Sequence, residues 1–289
     1  MSTTPALPDR NARLRAIATN PVGAARFFHK VVDLFTSKIL RVGQDRPGLF
    51  GPTEAYYGTV EEQGRKTLHL HSLLWIKGSL SPQEIRDRLL SDVSFEHDLV
   101  RWLEQCHRGD YMLESGEQLA ERLEEQYLQK SADGDLIPKS RIRPGLRDPV
   151  LELPVRPPPD DSNSDLQNWH DQFSRDVDEI IFRSNRHDAF HGKGCWKGTR
   201  DKGYCKARFP RECFPETQLD RSSGALRFKK TEQWINTFNP HLSYVLRSNS
   251  DVTCLLSGTQ IKAVIAYVTD YVTKTTLNTN TFFQTVRAV

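Results

Sequence analysis

Residues 65–78 read RKTLHLHSLLWIKG, and no other stretch constrains the fold as much. Leu68, Leu70, Leu73, Leu74, Trp75 and Ile76 predict a buried strand over 67–77, yet His69 and His71 stand inside it. Upstream, EAYYGTVEEQ (54–63) reads as a second strand, and GRK between the two is a plausible hairpin connection. Side chains alternate faces along a strand, so residues i and i+2 project together. His69 and His71 therefore lie side by side, and Glu61 and Gln63 share one face of the neighbouring strand. Two neutral imidazoles completed by one carboxylate or amide oxygen suit Mg²⁺, Mn²⁺ or Zn²⁺ with open positions. For an H-x-H pair taken alone, two satisfied core histidines are the plainer alternative.

The rest of the chain supplies helices around this hairpin. Residues 13–40 read as helical, with Pro21 opening a second helix because proline suits a first turn. Ser81 and Pro82 form an N-cap and first position, and helical pieces follow to about residue 129. Residues 138–159 hold seven prolines, the mark of a linker or surface insertion. Helical pattern resumes at 166. An irregular Gly-, Cys- and Lys-rich stretch occupies 187–215, and a short strand is expected within 223–230. No run reaches the 18 apolar residues of a membrane span, and the N-terminus lacks the apolar stretch of a secretory signal.

The segment TQIKAVIAYVTDYVTKT (259–275) is amphipathic, with Ile261, Val264, Ile265, Val268 and Val272 at helical spacing. Tyr267 and Tyr271 are four apart, so they stack on one side of that helix, with Lys274 on the same side. Core packing explains such a pair by itself. Beside a metal the pair takes on chemistry: a nearby cation favours the phenolate, and a polarised phosphodiester invites attack by it.

Five cysteines (Cys106, Cys195, Cys205, Cys213, Cys254), an odd number, argue against a disulfide framework and leave metal binding open. The simplest four-ligand structural zinc set is His187, His191, Cys195 and Cys205, with free thiols and surface histidines as the alternative. Net charge is only +3, but residues 183–230 carry 13 Lys/Arg against 5 Asp/Glu. Lys193, Lys197, Lys206 and Arg208, with Lys202 and Arg211, alternate there with Trp196, Tyr204 and Phe209. Cations for phosphates and aromatics for bases suit single-stranded DNA.

GTVEEQGRKTLHLHSLLW resembles the histidine motif of HUH-type Rep endonucleases, and IKAVIAYVTDYVTKT their two-tyrosine helix. With LFGPTEAYYG, FRSNRHDAF, GYCKARFPRE and RFKKTEQWINTFNPHLSYVLRSNSDVTCLLSG, the chain resembles the Rep domain of Helitron transposases over roughly 15–285. The resemblance implies an α+β fold: a central antiparallel sheet flanked by helices, here with a Pro-rich insertion and a Cys/His-containing subregion. The expected organisation is a disordered 1–14, an N-terminal half with the hairpin over 15–130, the insertion or linker over 131–165, and the Cys/His block with the tyrosine helix over 166–289.

By resemblance, His69 and His71 match the pair that holds Mg²⁺ or Mn²⁺, and Tyr267 and Tyr271 match the catalytic tyrosines. Glu61 or Gln63 is the third ligand suggested by the strand parity. The implied activity is rolling-circle nicking and rejoining of single-stranded DNA through a 5′-phosphotyrosine, in the nucleus. Full-length family members continue into a helicase, whereas no G-x-x-x-x-G-K-[ST] phosphate loop occurs here. That leaves no ATP site in this chain and a separate helicase as a partner. The competing expectation is a transposon-derived module that grips single strands without cutting. A barrel-type H-x-H hydrolase for small molecules is disfavoured by the lack of a βα repeat.

Overall fold

The computed structural model describes residues 8, 10–63, 67–130, 136–138, 147–159, 163–187, 195–198 and 203–273. In chain order the elements are α1 (Arg10–Thr19), α2 (Pro21–Leu34), a π-helical turn (Phe35–Ile39), β1 (Thr53–Gln63), β2 (Thr67–Ile76), α3 (Pro82–Ser91), α4 (Val93–Cys106) and α5 (Gly116–Tyr127). There follow β3 (Leu128–Lys130), β4 (Leu136–Pro138), a 3₁₀ turn (Pro149–Leu151), α6 (Asn163–Ser184), β5 (Trp196–Lys197), β6 (Tyr204–Cys205), β7 (Gln218–Asp220), β8 (Ala225–Arg227), α7 (Pro240–Leu246) and α8 (Gly258–Thr273). The mixture of helix and strand is as expected. The sheets among the described residues are antiparallel two-stranded pairs, β1–β2, β3–β4, β5–β6 and β7–β8, and a larger central sheet is not among them. Helix α1 starts at Arg10, inside the stretch read as disordered.

The chain divides into two compact units. One combines Pro8–Arg88 with Leu255–Val289, and so contains both the histidine hairpin and the tyrosine helix. Asn20 caps α2 by accepting from the Gly23 amide at 2.8 Å, and Pro21 takes the first turn. The chain then folds back through Leu40 and Phe50, both buried, into β1. At Gly48 a Cβ would fall 2.0 Å from the Leu40 carbonyl oxygen, so only hydrogen fits. β1 and β2 pair in register from Ala55↔Trp75 to Gln63↔Thr67. Ser81 and Glu84 close a capping box at the start of α3: the Ser81 amide donates to Glu84 Oε2 at 2.8 Å, and the Glu84 amide donates to Ser81 Oγ. Ser257 Oγ accepts from the Gln260 amide at the head of α8, and α8 packs against β1.

The other unit, built on Leu89–Cys254, is organised by α6. Phe173, Val177, Ile180 and Ile181 recur at helical spacing and are buried. Phe173, Val177 and Ile181 meet Leu119 and Leu123 of α5, Ile235, Phe238 and Tyr244. Two acids share this apolar helix. Asp178 accepts from the amides of Met112 (2.6 Å) and Leu113 (2.9 Å), fixing the turn before α5. Asp176, 1% exposed, binds Arg147, Gln172 Nε2 and Arg247 Nη1 (3.0 Å). The Pro-rich stretch is structured over 147–159. The Val155 amide donates to Tyr244 Oη, and the Val155 carbonyl accepts from Tyr244 Oη and Trp169 Nε1, all within 3.1 Å. No helix among the described residues is long and apolar enough to cross a membrane.

Candidate metal and catalytic sites

In the hairpin unit the ladder sets Glu61 opposite His69 and Thr59 opposite His71. Cross-strand partners share a face, so Glu61, His69 and His71 all project from one side of the hairpin. The two imidazole rings meet edge-on with centroids 4.8 Å apart. His71 Nε2 lies 3.2 Å from Glu61 Oε1, with both side chains about one-fifth exposed. Two imidazole nitrogens and one carboxylate, partly shielded but open to solvent, match the donor chemistry of a divalent-cation site. Gln63 holds the same parity at the end of β1, opposite Thr67. Its side chain lies outside the described residues.

Tyr267 and Tyr271 both fall within α8, four residues apart, as the periodicity predicts. Their side chains, and Lys274 entirely, lie outside the described residues. The backbone establishes that the helix carrying them runs against the strand carrying Glu61, although the two are far apart in sequence.

The second cluster lies in the other unit. His187 follows the end of α6, Cys195 precedes β5, and Cys205 ends β6. Cys195 Sγ is 3.2 Å from His187 Nε2 and 3.3 Å from Cys205 Sγ, and Cys205 Sγ is 3.5 Å from His187 Nε2. Among the described residues, this is the one group of three His, Cys, Asp or Glu side chains whose donor atoms all gather within 4.8 Å. Burial opposes ionisation of Cys205, but amides of Phe209, Ala207 and Arg208 and the Cys195 thiol outweigh it and hold its pKa below the usual thiol value. Three of the four residues named from the spacing thus converge; His191 lies outside the described residues.

The basic surface around this cluster is partly as expected. Lys197, Lys206 and Arg208 are exposed, Tyr204 is 56% exposed, and Trp196 is half-buried. Lys193 and Lys202 lie outside the described residues. Phe209 corrects the sequence reading. It is 7% exposed and stacks on His187 with centroids 4.5 Å apart, so it orients an imidazole and is not open to a base. The Arg211 guanidinium lies over the Phe209 ring, 4.6 Å from its centroid. Sequence reasoning left Arg247 of the RSNSD segment without a role. It caps α7 at φ 52°, stacks over Tyr244, and is the buried partner of Asp176.

Residues 3–74 match the family model described as the Helitron helicase-like domain at the N-terminus. The matched stretch covers about a quarter of the chain and takes in Glu61, His69 and His71. No curated protein and no solved structure matches the chain.

Proposed function

We propose that the chain is a Helitron-type Rep endonuclease and strand transferase acting on single-stranded DNA. The observation that carries this reading is the Glu61–His69–His71 face of the hairpin. It lies within the family-matched residues, in the unit whose helix α8 bears Tyr267 and Tyr271. Glu61, His69 and His71 would hold Mg²⁺ or Mn²⁺, with Gln63 as the alternative oxygen donor. When bound, such an ion polarises a phosphodiester and offsets charge developing on it.

The protein's own groups supply the rest. Glu61 fixes the His71 ring through its 3.2 Å contact. A tyrosine, having given up its phenolic proton, attacks the scissile phosphorus. A Tyr–O–P bond forms, the bond to the 3′ oxygen breaks, and that oxygen leaves as a hydroxyl after taking a proton. The 5′-phosphate stays on the protein. Attack on this linkage by a 3′-hydroxyl reverses the exchange and rejoins a strand, and the second tyrosine permits a second transfer. Lys274, next after the end of α8, is placed in sequence to favour the phenolate. A nuclear location follows from the DNA substrate.

The test is incubation of end-labelled single-stranded oligonucleotides of varied sequence with the protein, with and without Mn²⁺, on a denaturing gel. The expected result is a shortened strand with a free 3′-hydroxyl, formed only with the metal. Retained binding with no cleavage across the oligonucleotides would favour the second reading, a module that grips single strands without cutting. The exposed Tyr204, Lys197, Lys206 and Arg208 support that gripping step under either reading. Three phosphate contacts from those cations give a log–log salt slope of about −2, at about −0.7 per phosphate for single strands. Replacing Lys206 by alanine is expected to flatten the slope by about 0.7. A slope unchanged by that substitution would remove Lys206 from the DNA path.

A further inference from the structure

We propose that His187, Cys195 and Cys205 bind a structural Zn²⁺ that holds the β5–β6 loop block onto the end of α6, a site separate from the nuclease chemistry. Three observations converge. The donor atoms form a near-equilateral triangle with sides of 3.2, 3.3 and 3.5 Å. Tetrahedral Zn²⁺, at about 2.3 Å from sulfur and about 2.0 Å from nitrogen, sets its donors about 3.5–3.8 Å apart, close to these sides. Two thiols and an imidazole are a soft, borderline set that selects Zn²⁺ over Mg²⁺ or Mn²⁺.

The second observation is the small size of the ladder at which two of the three donors sit. β5 and β6 are two residues each, paired Trp196↔Cys205 and Lys197↔Tyr204. A two-stranded ladder of that length does not hold shape by itself in water. Its buried anchors are Cys205 and Phe209. A cross-link from α6 through His187 to both strands supplies the missing constraint, as metal does in small domains with little core.

The third observation concerns orientation. The Phe209 ring lies parallel to His187 (interplanar angle 6°), and the Lys206 amide donates to the Cys195 carbonyl at 2.8 Å. Arg208 adopts φ 60° and its amide donates to the Cys205 carbonyl, which turns the chain back tightly after the cysteine. These contacts aim ligand atoms inward while Tyr204, Lys206 and Arg208 remain exposed. The zinc thus shapes the surface that the proposed single-strand binding uses, and that one consequence rests on the functional reading above.

The test begins with the intact purified chain, its metal content measured by elemental analysis. Zinc at about one ion per chain is expected. Replacement of that ion by Co²⁺ then gives thiolate-to-metal charge-transfer absorption, which a hairpin site without sulfur cannot produce. Cys205→Ser and His187→Ala are expected to lose the zinc and Cys213→Ser to keep it. The Co²⁺ spectrum of the unaltered chain decides the matter should a variant fail to fold. Chelation is expected to open the 195–211 segment to limited proteolysis. Chain that neither carries zinc nor shows thiolate–Co²⁺ absorption, or that holds a Cys195–Cys205 disulfide in its place, overturns the proposal. Nuclease activity enters none of these readouts, so the site stands or falls apart from the Rep reading.

Discussion

Replacing His69 and His71 together by alanine is expected to lower strand cleavage by about 10³-fold or more, the loss of several kcal/mol of transition-state stabilisation. Single-strand binding is expected to persist, because the exposed Lys197, Lys206 and Arg208 belong to the other unit. The reasoning rests on the hairpin face. Glu61 and the two imidazoles project from that one face, and alanine removes both imidazoles without touching the ladder. Glu61→Gln keeps an oxygen donor but loses the charge, so a smaller deficit is expected, about tenfold to a hundredfold, in the range for altered ligand support. Cleavage assays over a Mn²⁺ titration measure both. A double variant that cleaves as well as the unaltered chain would remove the histidines from the chemistry.

The second large effect concerns stability. Asp176→Ala is expected to cost about 3–5 kcal/mol, because it leaves a buried guanidinium without its counter-charge. Arg247, 8% exposed overall, donates to Asp176 Oδ2 at 3.0 Å, and Arg147 and Gln172 complete the acid's partners. Thermal or urea unfolding of the purified chain checks the figure; a loss below about 1 kcal/mol, the value of an exposed pair, would contradict the burial.

The same carboxylate has a pH signature. Burial raises its pKa, but hydrogen bonds from Arg147, Gln172 and Arg247 outweigh that and hold it below the ordinary aspartate value. Its folded pKa lies under its unfolded one. The stabilisation is therefore complete above the unfolded value, about 3.9, and fades as pH falls through the lower folded value. The stability difference between the unaltered chain and Asp176→Asn is expected to be steady at neutral pH and to shrink below about pH 4. A difference that grows on acidification would reverse the sign.

Much of the hairpin was legible in the sequence because its determinants are local. Alternation assigns faces, so His69 beside His71 and Glu61 beside Gln63 were readable, while the pairing of Glu61 with His69 comes from the ladder. Ser81, Pro82 and Pro21 announced helix starts for equally local reasons. The Cys/His cluster was legible as a donor set, and the structure brings three of its four residues together.

What the sequence hid is non-local. A buried acid reads like a surface acid, so nothing in NWHDQFSRDVDEII distinguishes Asp176 and Asp178 from Asp171, which stays nearer the surface. Phe209 reads as an aromatic among cations. Its burial against His187 depends on a turn formed by Arg208 at positive φ. The prolines of 138–159 read as a linker or a surface insertion, and no local pattern shows that Val155 is held by Tyr244, almost ninety residues on. Strand partners beyond a hairpin likewise depend on contacts that no local pattern encodes.

The most direct test of the central claim is to identify the residue that keeps the DNA. Protein incubated with a cleavable oligonucleotide and Mn²⁺ would be denatured, digested and sequenced by mass spectrometry. A phosphotyrosyl-nucleotide on Tyr267 or Tyr271, lost when that tyrosine is changed to phenylalanine, is the predicted result. Cleavage with no covalent intermediate, or one on a residue outside α8, would contradict it.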